Sequence, residues 1–314
     1  MISPQQLSEL YQQACEVDVQ AFKPGNVSVY ADGHDMTVAD FRISAKVSAD
    51  PLCNPDYSLG EKIYYAVKAT REAVGCNTNL GIILLCAPLI QAISHTTAWK
   101  QDDCMDAGGR ATQGAVAEVE QRREQLPNHS GFTLRQAVTK VISNTTIEDA
   151  DWVFKAIALA SPGGLGSSDQ QDVNEKASVT LVEAMKIAST KDRIALQYTT
   201  DYQDIFNFLV LRYNISLNRW GDRNWAAAAV YADMLSQFPD SHIERKYGNQ
   251  YSEMVATKMA QLSEELSKTD NPEQIKPLLF CLDQEFKHCG INPGTTADMI
   301  VATVFAAFLE ELNQ

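Results

Sequence analysis

The 314-residue sequence predicts an all-α protein, and three observations support this fold class. Apolar residues recur at intervals of three and four along most of the chain, which is the spacing of an amphipathic helix. Alternating runs of β-branched residues are scarce, and Gly25 interrupts the best of them, at residues 22–30. Two segments, 79–95 and 297–309, are apolar on nearly every side, which is typical of helices at the centre of a bundle.

The same spacing predicts a bundle of roughly ten to twelve helices, with the two apolar segments as its central pair. The first helix, at 5–21, carries Leu7 and Leu10 on its apolar stripe. No stretch has linker composition or a fixed repeat, so we expect one domain over residues 1–314, with a division near 190–200 as the alternative. The later helical segments are 38–49, 59–75, 79–98, 110–125, 147–160, 172–189, 203–218, 224–237, 251–267, 273–287 and 296–312.

Composition and charge exclude several classes of protein and of binding partner. Hydrophobic residues make up 45% of the chain and charged residues 21%, as in soluble globular proteins, which excludes disordered and fibrous classes. The 26 Lys and Arg residues against 40 Asp and Glu residues give a net charge of −14, so nucleic acid and anionic membranes are poor partners. A phosphate-rich small molecule would then be bound most simply through a divalent metal ion held by carboxylates.

Cysteine use and hydropathy indicate the compartment. The seven cysteines are scattered and none belongs to a Cys-x-x-Cys pair, which favours reduced thiols. The N-terminus lacks the basic and apolar regions of a signal peptide. The longest apolar run, 82–90, is interrupted by Pro88 and is shorter than the ~20 residues that span a bilayer. We therefore expect a cytoplasmic protein that acts alone or as a homo-oligomer.

Small-residue turns stand at four predicted helix boundaries, and two of them lie in the first quarter of the chain. In the turn at 23–27, Gly25 can adopt a positive φ and let bare backbone approach a ligand beside Lys23. A plain helix C-terminus is the alternative. In the turn at 77–81, Asn77 or its neighbouring threonine offers a helix cap, which is a sufficient explanation by itself.

The other two turns precede later helices. Residues 161–168 contain three glycines and lead into a predicted helix, where free N–H groups can bind an anion; a flexible loop is the alternative. In the turn at 292–298, Thr295 and Asp298 have the spacing of a capping box. However, Asp298 also stands at the start of a helix that must be buried, and a buried carboxylate needs a partner or a metal ion.

Two further aspartates, Asp35 and Asp40, flank the start of the helix predicted at 38–49. Carboxylates placed in this way could share a metal ion. Thr37 and Asp40 also satisfy a capping pattern, which is the alternative for Asp40. The histidines beyond His34 have no ligand-like spacing, so we expect them to be packed or surface residues.

Taken in order, these turns resemble the triphosphoribosyl-dephospho-coenzyme A synthase family, whose members make the prosthetic-group precursor of citrate lyase and malonate decarboxylase. Each motif is short, but five in the right order are fairly specific, and together they span essentially the whole chain. The matching segments are 23–27, 35–37 with 40–41 and 44–45, 77–81, and 292–294 with 297–298.

The chain also departs from the bacterial members. Asp18 occupies what looks like a glutamate position, and the bacterial Asn-Thr-His-Lys-Gly reads Asn-Thr-Asn-Leu-Gly at 77–81. Residues 162–166 with Asp172, and the segment 192–202, instead look like a stand-alone branch found in archaea and methylotrophic bacteria. The resemblance therefore implies the fold and the general chemistry more firmly than the acceptor substrate.

The resemblance implies a transferase that uses ATP as ribosyl donor. The 2′-hydroxyl of dephospho-coenzyme A attacks C1 of the ATP ribose, adenine leaves, and the triphosphate stays attached, which requires a base and neutralisation of the phosphate charge. The residues implied as catalytic are Asp18, Asp35 and Asp298. Those implied as ligands of one or two Mg²⁺ ions are Asp35, Asp40, Asp172 and Asp298. Those implied to bind the nucleotide are Lys23, Gly25, Asn26, Asn77, Thr78, Gly163, Gly164, Gly294 and Thr295.

Three other functions are alternatives. The same fold could act on another acceptor, such as a precursor of a methanopterin- or methanofuran-type one-carbon cofactor. A metal-dependent hydrolase of ribosyl or phosphate bonds would form product with water alone. A non-catalytic helical scaffold would use every turn described above only as a helix cap.

Overall fold

The computed structural model of the protein describes residues 2–33, 36–106, 133–161, 172–173 and 175–312, without the side chains of residues 95–106. Fourteen α-helices lie in these ranges, and the nearest approach to a sheet there is an isolated bridge between Ser28 and Ala31. The all-α prediction is confirmed, with more helices than predicted. The helices are α1 Pro4–Gln20, α2 Val38–Cys53, α3 Leu59–Val74, α4 Leu80–Asp106, α5 Leu134–Ser143, α6 Ile147–Ala160, α7 Leu181–Ala188, α8 Arg193–Thr199, α9 Val210–Trp220, α10 Arg223–Gln237, α11 Ser241–Tyr247, α12 Ser252–Lys268, α13 Lys276–His288 and α14 Gly294–Glu311.

Several helix boundaries differ from the predicted ones. The helix predicted at 172–189 is shorter, because α7 begins only after its cap, Thr180. The segment predicted at 203–218 begins with a π turn, Ile205–Leu209, that leads into α9. Three helices were not predicted: α5, which has ten residues, and α8 and α11, which have seven each. Two turns are too few for a periodic pattern. The helix predicted at 110–125 lies outside the described residues.

Side-chain caps define many of the helix starts. Five helices begin at a capping box, in which a Ser or Thr side chain accepts from the N3 backbone while the N3 side chain accepts from the cap; the cap residues are Ser3, Ser58, Thr133, Thr146 and Thr180. The helices α8, α10 and α11 begin instead at Asp192, Asp222 and Asp240. Each such cap stabilises its helix by about 1 kcal/mol.

The centre of the fold is formed by α4 and α14, which pack against each other. From Met299 to Leu309 every residue of α14 is buried, and α4 is buried from Leu80 through Ile90. The helix α1 packs on the other side of α14, where the ring of Tyr11 meets Phe305 edge-on at 6.2 Å between centroids. The predicted central pair of apolar helices is therefore confirmed.

A proline inside α4 ties that helix to the segment around α8. Pro88 has no N–H group, so the carbonyl oxygen of Leu84, four residues earlier, lacks its normal helical donor. The buried hydroxyl of Tyr198 donates to this oxygen at 2.6 Å. The hydroxyl of Tyr202 donates to the next carbonyl oxygen, that of Leu85. The backbone of Tyr202 has a positive φ of 55°. The tyrosines thus satisfy backbone groups that water cannot reach.

The turn after α1 is held against the segment that precedes α14. Gly25 has φ +87°, and a Cβ at this position would lie 2.8 Å from the carbonyl oxygen of Ile291. Its N–H donates to the carboxylate of Asp283, and Tyr231 donates to the carbonyl oxygen of Pro24. The close approach requires glycine at position 25 and brings the end of the first helix next to the start of the last one.

No described helix is both long enough and apolar enough to cross a membrane. One continuous cluster of buried hydrophobic residues takes side chains from α1 through α14. We propose on this ground that the described residues form a single domain.

Replacing Tyr198 by Phe should leave the buried Leu84 carbonyl oxygen without a donor. We expect the free energy of unfolding to fall by about 1–3 kcal/mol, measured by urea denaturation. The matched background is Pro88→Ala, which restores an N–H group at position 88. Tyr198→Phe should cost less there, and an equal cost in both backgrounds would show that the tyrosine does not replace the missing donor.

Candidate active site

The main cavity of the described residues has a volume of about 880 Å³, within the roughly 300–1,000 Å³ of small-molecule sites. Its walls come from the end of α1, the turn after it, the first turns of α4, α11 and α14, and the helices α6, α7 and α8. Nine of the predicted site residues line this one cavity: Asp18, Lys23, Asn26, Asn77, Thr78, Asp172, Gly294, Thr295 and Asp298.

Other predicted site residues lie elsewhere. Gly25 is not among the lining residues, because it packs against the backbone of Ile291. Asp40 is not among them either, because its carboxylate accepts hydrogen bonds from the N–H and hydroxyl groups of Thr37, as a cap of α2. The remaining predicted residues, Asp35, Gly163 and Gly164, lie outside the described residues.

The carboxylate of Asp298 lies directly against Gly81 of α4. A Cβ at Gly81 would be 2.0 Å from Oδ2 of Asp298, so α4 can approach α14 here only because residue 81 has no side chain. In the described part of the chain no residue forms a hydrogen bond or ion pair with this carboxylate. Burial raises the pKa of Asp298 well above its usual range, and the negative charges of Asp18 and Asp240 raise it further. The group therefore favours a proton, or a cation, from the cavity.

A second aspartate at the cavity wall is already paired. Asp18 near the end of α1 forms an ion pair with Lys23, and both side chains are buried. Burial raises the pKa of Asp18, although the positive charge of Lys23 opposes the shift. Because Lys23 shares its charge with Asp18, it contributes little net positive charge for a phosphate.

The start of α4 contributes amide and hydroxyl groups. Asn77 caps the helix, since its side chain accepts from the N–H of Leu80 at 3.1 Å. The hydroxyl of Thr78 donates to Ser44 at 2.6 Å, which fixes this turn against α2. The capping alternative for Asn77 is thus what the structure shows, and the same residue also faces the cavity.

The amide of Asn26 presents an open acceptor. Its nitrogen donates to the side-chain oxygen of Asn292 at 2.6 Å, which links the turn after α1 to the segment before α14. Its own oxygen is buried and has no partner within the described residues. Buried polar atoms are usually paired, so a ligand hydroxyl or amine in the cavity is a fitting donor.

The short helix α11 brings charged groups that were not predicted. Arg245 donates to the carboxylate of Asp192, the cap of α8, and both residues line the cavity. His242 lines it as well, and burial lowers the pKa of this imidazole although the nearby Asp240 opposes the shift. Asp240 fixes α11 to α14, because it caps α11 and also accepts from the N–H and hydroxyl groups of Thr296.

The cavity has one apolar side and a nearly balanced set of charges. Its ionisable lining residues other than histidine are Asp18, Asp172, Asp192, Asp298, Lys23, Lys191 and Arg245, which sum to a net charge of −1 when all are ionised. The apolar side comes from α6, α7 and α8, through Val153, Phe154, Ile157, Leu181, Ala184, Met185, Ile194 and Ala195. Within the described ranges, no group of three or more His, Cys, Asp or Glu side chains is arranged to hold a metal ion.

Comparison with known proteins identifies this architecture. A sequence model of the ATP:dephospho-CoA triphosphoribosyl transferase family, CitG, matches residues 4–314. The chain belongs to this family. The crystal structure of a proposed triphosphoribosyl-dephospho-CoA synthase from Archaeoglobus fulgidus shares the fold, with a TM-score of 0.56 and 22% identity over 85% of this chain and 97% of that one. No curated protein matches the sequence.

The family resemblance drawn from the motifs is therefore confirmed, and the protein is a transferase with ATP as a substrate. The cavity of this transferase is suited to such a ligand, since it joins the polar residues before α4 and the polar first turn of α14 to an apolar wall. Sequence reasoning missed Arg245 and His242 because α11 is short. The visible signal was an aspartate cap, Asp240, followed within five residues by a histidine and an arginine.

Replacing Gly81 by Ala should push the Asp298 carboxylate away from its position. We expect the free energy of unfolding to fall by about 1–3 kcal/mol in urea denaturation, since the added methyl group overpacks the contact. The control is Gly81→Ala in an Asp298→Ala background, where only the 2.7 Å approach to the flexible end of the Ile194 side chain remains, so the loss should be smaller. An equal loss in both backgrounds would contradict the contact.

The ionisation of Asp298 should make the transferase less stable as the pH rises. Its folded-state pKa lies above the value of about 3.9 in an unfolded chain, so the folded state favours the protonated form and loses this advantage at higher pH. Relative to Asp298→Asn, the wild-type free energy of unfolding should fall as the pH rises above about 4, the ordinary pKa of an aspartate.

The control for this titration is Asp40, whose ionisation should change the stability with pH in the opposite direction. Hydrogen bonds from Thr37 lower the pKa of Asp40, so the stability that its carboxylate contributes is present above its unfolded-state pKa and is lost in acid. Relative to Asp40→Asn, wild-type stability should therefore rise as the pH increases through about 4. Parallel curves for the two variants would contradict the account of Asp298.

Proposed function

We propose that the transferase binds ATP and dephospho-CoA in the 880 Å³ cavity and carries out the transfer there. The acceptor hydroxyl oxygen forms a bond to C1 of the ATP ribose while the bond from that carbon to adenine breaks. Adenine leaves with the electron pair and takes up a proton, and the hydroxyl proton passes to a base. The observation that carries this proposal is the convergence of Asn77, Thr295 and the unpaired Asp298 on one cavity.

Asp298 is the group we assign to proton transfer with the substrates. Its carboxyl has no described partner, faces the cavity and has a raised pKa, which are properties of general acid–base residues. Asp18, the other predicted cavity carboxylate near it, is held by Lys23 and would act as the base only after that ion pair opens. A catalytic part for Asp35 stays a prediction.

Magnesium fits the donor set of this cavity. The lining residues carry a net charge of −1, whereas the phosphates of ATP and dephospho-CoA add several more negative charges. Mg²⁺ is usually bound by one or two carboxylates together with substrate phosphates, so a cluster of three acidic side chains is not needed. We propose Asp172 as its protein ligand, with Asp35 as a predicted second; Asp298 is assigned to proton transfer, and Asp40 is already engaged as a cap. The ion would neutralise charge on the phosphates.

The remaining predicted residues would position the nucleotide. Asn26 offers its unpaired amide oxygen, and Asn77 and Thr78 lie just before the first turn of the buried helix α4. Gly294 and Thr295 form the first turn of α14, where free N–H groups and the helix dipole favour a phosphate. The nucleotide-binding role of Gly163 and Gly164 stays a prediction from the sequence.

The proposed reaction is tested by chromatographic detection of adenine from ATP with dephospho-CoA as acceptor. We expect adenine to appear only with the acceptor, and Asp298→Asn to lower kcat by about 10²- to 10⁴-fold. Asp40→Asn, a carboxylate outside the cavity, should stay close to wild type. Adenine release with water alone would support the hydrolase, and release only with another acceptor would support the alternative transferase.

The metal proposal has its own test in binding. Isothermal titration of the transferase with ATP should show weaker affinity in EDTA than in Mg²⁺, because the cavity cannot neutralise the phosphates without a cation. Asp172→Asn should reduce the Mg²⁺-dependent part of the affinity, and Asp40→Asn should not. Full affinity in EDTA would contradict the proposed ion.

A further inference from the structure

Arg245 stands out among the cations of the cavity because one part of its guanidinium is unused. Its Nη1 donates to Oδ2 of Asp192, whereas its Nε is buried and has no partner within the described residues. Lys23 is engaged with Asp18, and Lys191 lies at the exposed rim. An arginine stays charged at every physiological pH and binds phosphate oxygens through two parallel N–H groups.

Asp192 holds the guanidinium in a fixed place. One carboxylate oxygen of Asp192 accepts from the backbone of Ile194 and Ala195, which caps α8, and the other accepts from Arg245. The aspartate therefore cannot turn away without uncapping its helix. It engages one nitrogen of the arginine and leaves Nε for another acceptor.

A second set of hydrogen bonds joins the first turn of α14 to α11, the helix that carries Arg245. Asp240 joins α11 to α14, through the backbone of His242 and Ile243 on one side and through Thr296 on the other. The next residue toward the cavity, Thr295, is 2% exposed, and its hydroxyl forms no hydrogen bond with a described residue. A cation, a threonine hydroxyl at the cavity wall and a helix N-terminus together make a site for an anion.

We infer that Arg245, held by Asp192, binds the polyphosphate tail of ATP together with Thr295 and the first turn of α14. The inference rests on the proposed function and adds the direction of the nucleotide, with its phosphates at α11 and α14. Arg245 is then a binding residue, and Asp192 and Asp240 are positioning residues. The alternative is a purely structural ion pair that joins α11 to α8.

The test uses titration calorimetry with three probes, ATP, AMP and inorganic tripolyphosphate, in the presence of Mg²⁺. We expect Arg245→Ala to weaken ATP and tripolyphosphate binding by about 10- to 100-fold, the effect of losing charged hydrogen bonds, and to leave AMP within a few fold. Arg245→Lys should be intermediate, since it keeps the charge but not the fork. Asp192→Asn should weaken the same two ligands by a smaller factor.

The matched control is Arg219→Ala, which removes another arginine paired with an aspartate, Asp270, outside the cavity. It should leave all three affinities unchanged. An equal loss for ATP, AMP and tripolyphosphate in both Arg245 variants would indicate a distorted cavity and overturn the inference, as would unchanged tripolyphosphate binding. The binding of tripolyphosphate can be measured without the acceptor and without any catalytic step. If no adenine is released but Arg245→Ala still loses tripolyphosphate, the proposed reaction fails and this inference stands.

Discussion

The contact between α4 and α14 is the constraint on which the site depends. Leu80–Ile90 of α4 and Met299–Leu309 of α14 are buried throughout, and the polar groups that these helices bring to the cavity lie where they begin. Gly81 of α4 touches Asp298 of α14, which shows that the two N-terminal ends meet. Two helix N-termini directed at one cavity supply positive potential and free N–H groups there. The central pair of the fold thereby creates a place for a polyanion in a protein whose overall charge is −14.

The position of Asp298 lowers the free energy of unfolding. A half-buried carboxyl without a described partner is unfavourable for folding, and the glycine beneath it lacks a side chain that would fill the core. Asp18, by comparison, is compensated by Lys23. An uncompensated group next to a compensated one is the pattern expected where substrate, rather than protein, completes the interaction.

The sequence was sufficient for the central helices and for much of the cavity, because both follow from local pattern. A helix that is apolar all round is expected at the centre, and polar residues at its start are then expected to face an opening; Asn77, Thr295 and Asp298 do line the cavity, while their roles stay predictions. Asp40 shows the limit, since a capping box and half of a metal site look alike in sequence. Arg245 depends on its tertiary partner Asp192, 53 positions away along the chain, and local pattern cannot reveal such a pair.

The central claim is that one cavity, at the starts of α4 and α14, holds ATP with its ribose near Asp298. A crystal structure of the protein with ATP and Mg²⁺, in the absence of acceptor, tests it most directly. The account predicts the ribose C1 facing the carboxyl of Asp298 and the terminal phosphates against Thr295 and Arg245. ATP bound away from Asp298, with the cavity filled only by solvent, would contradict it.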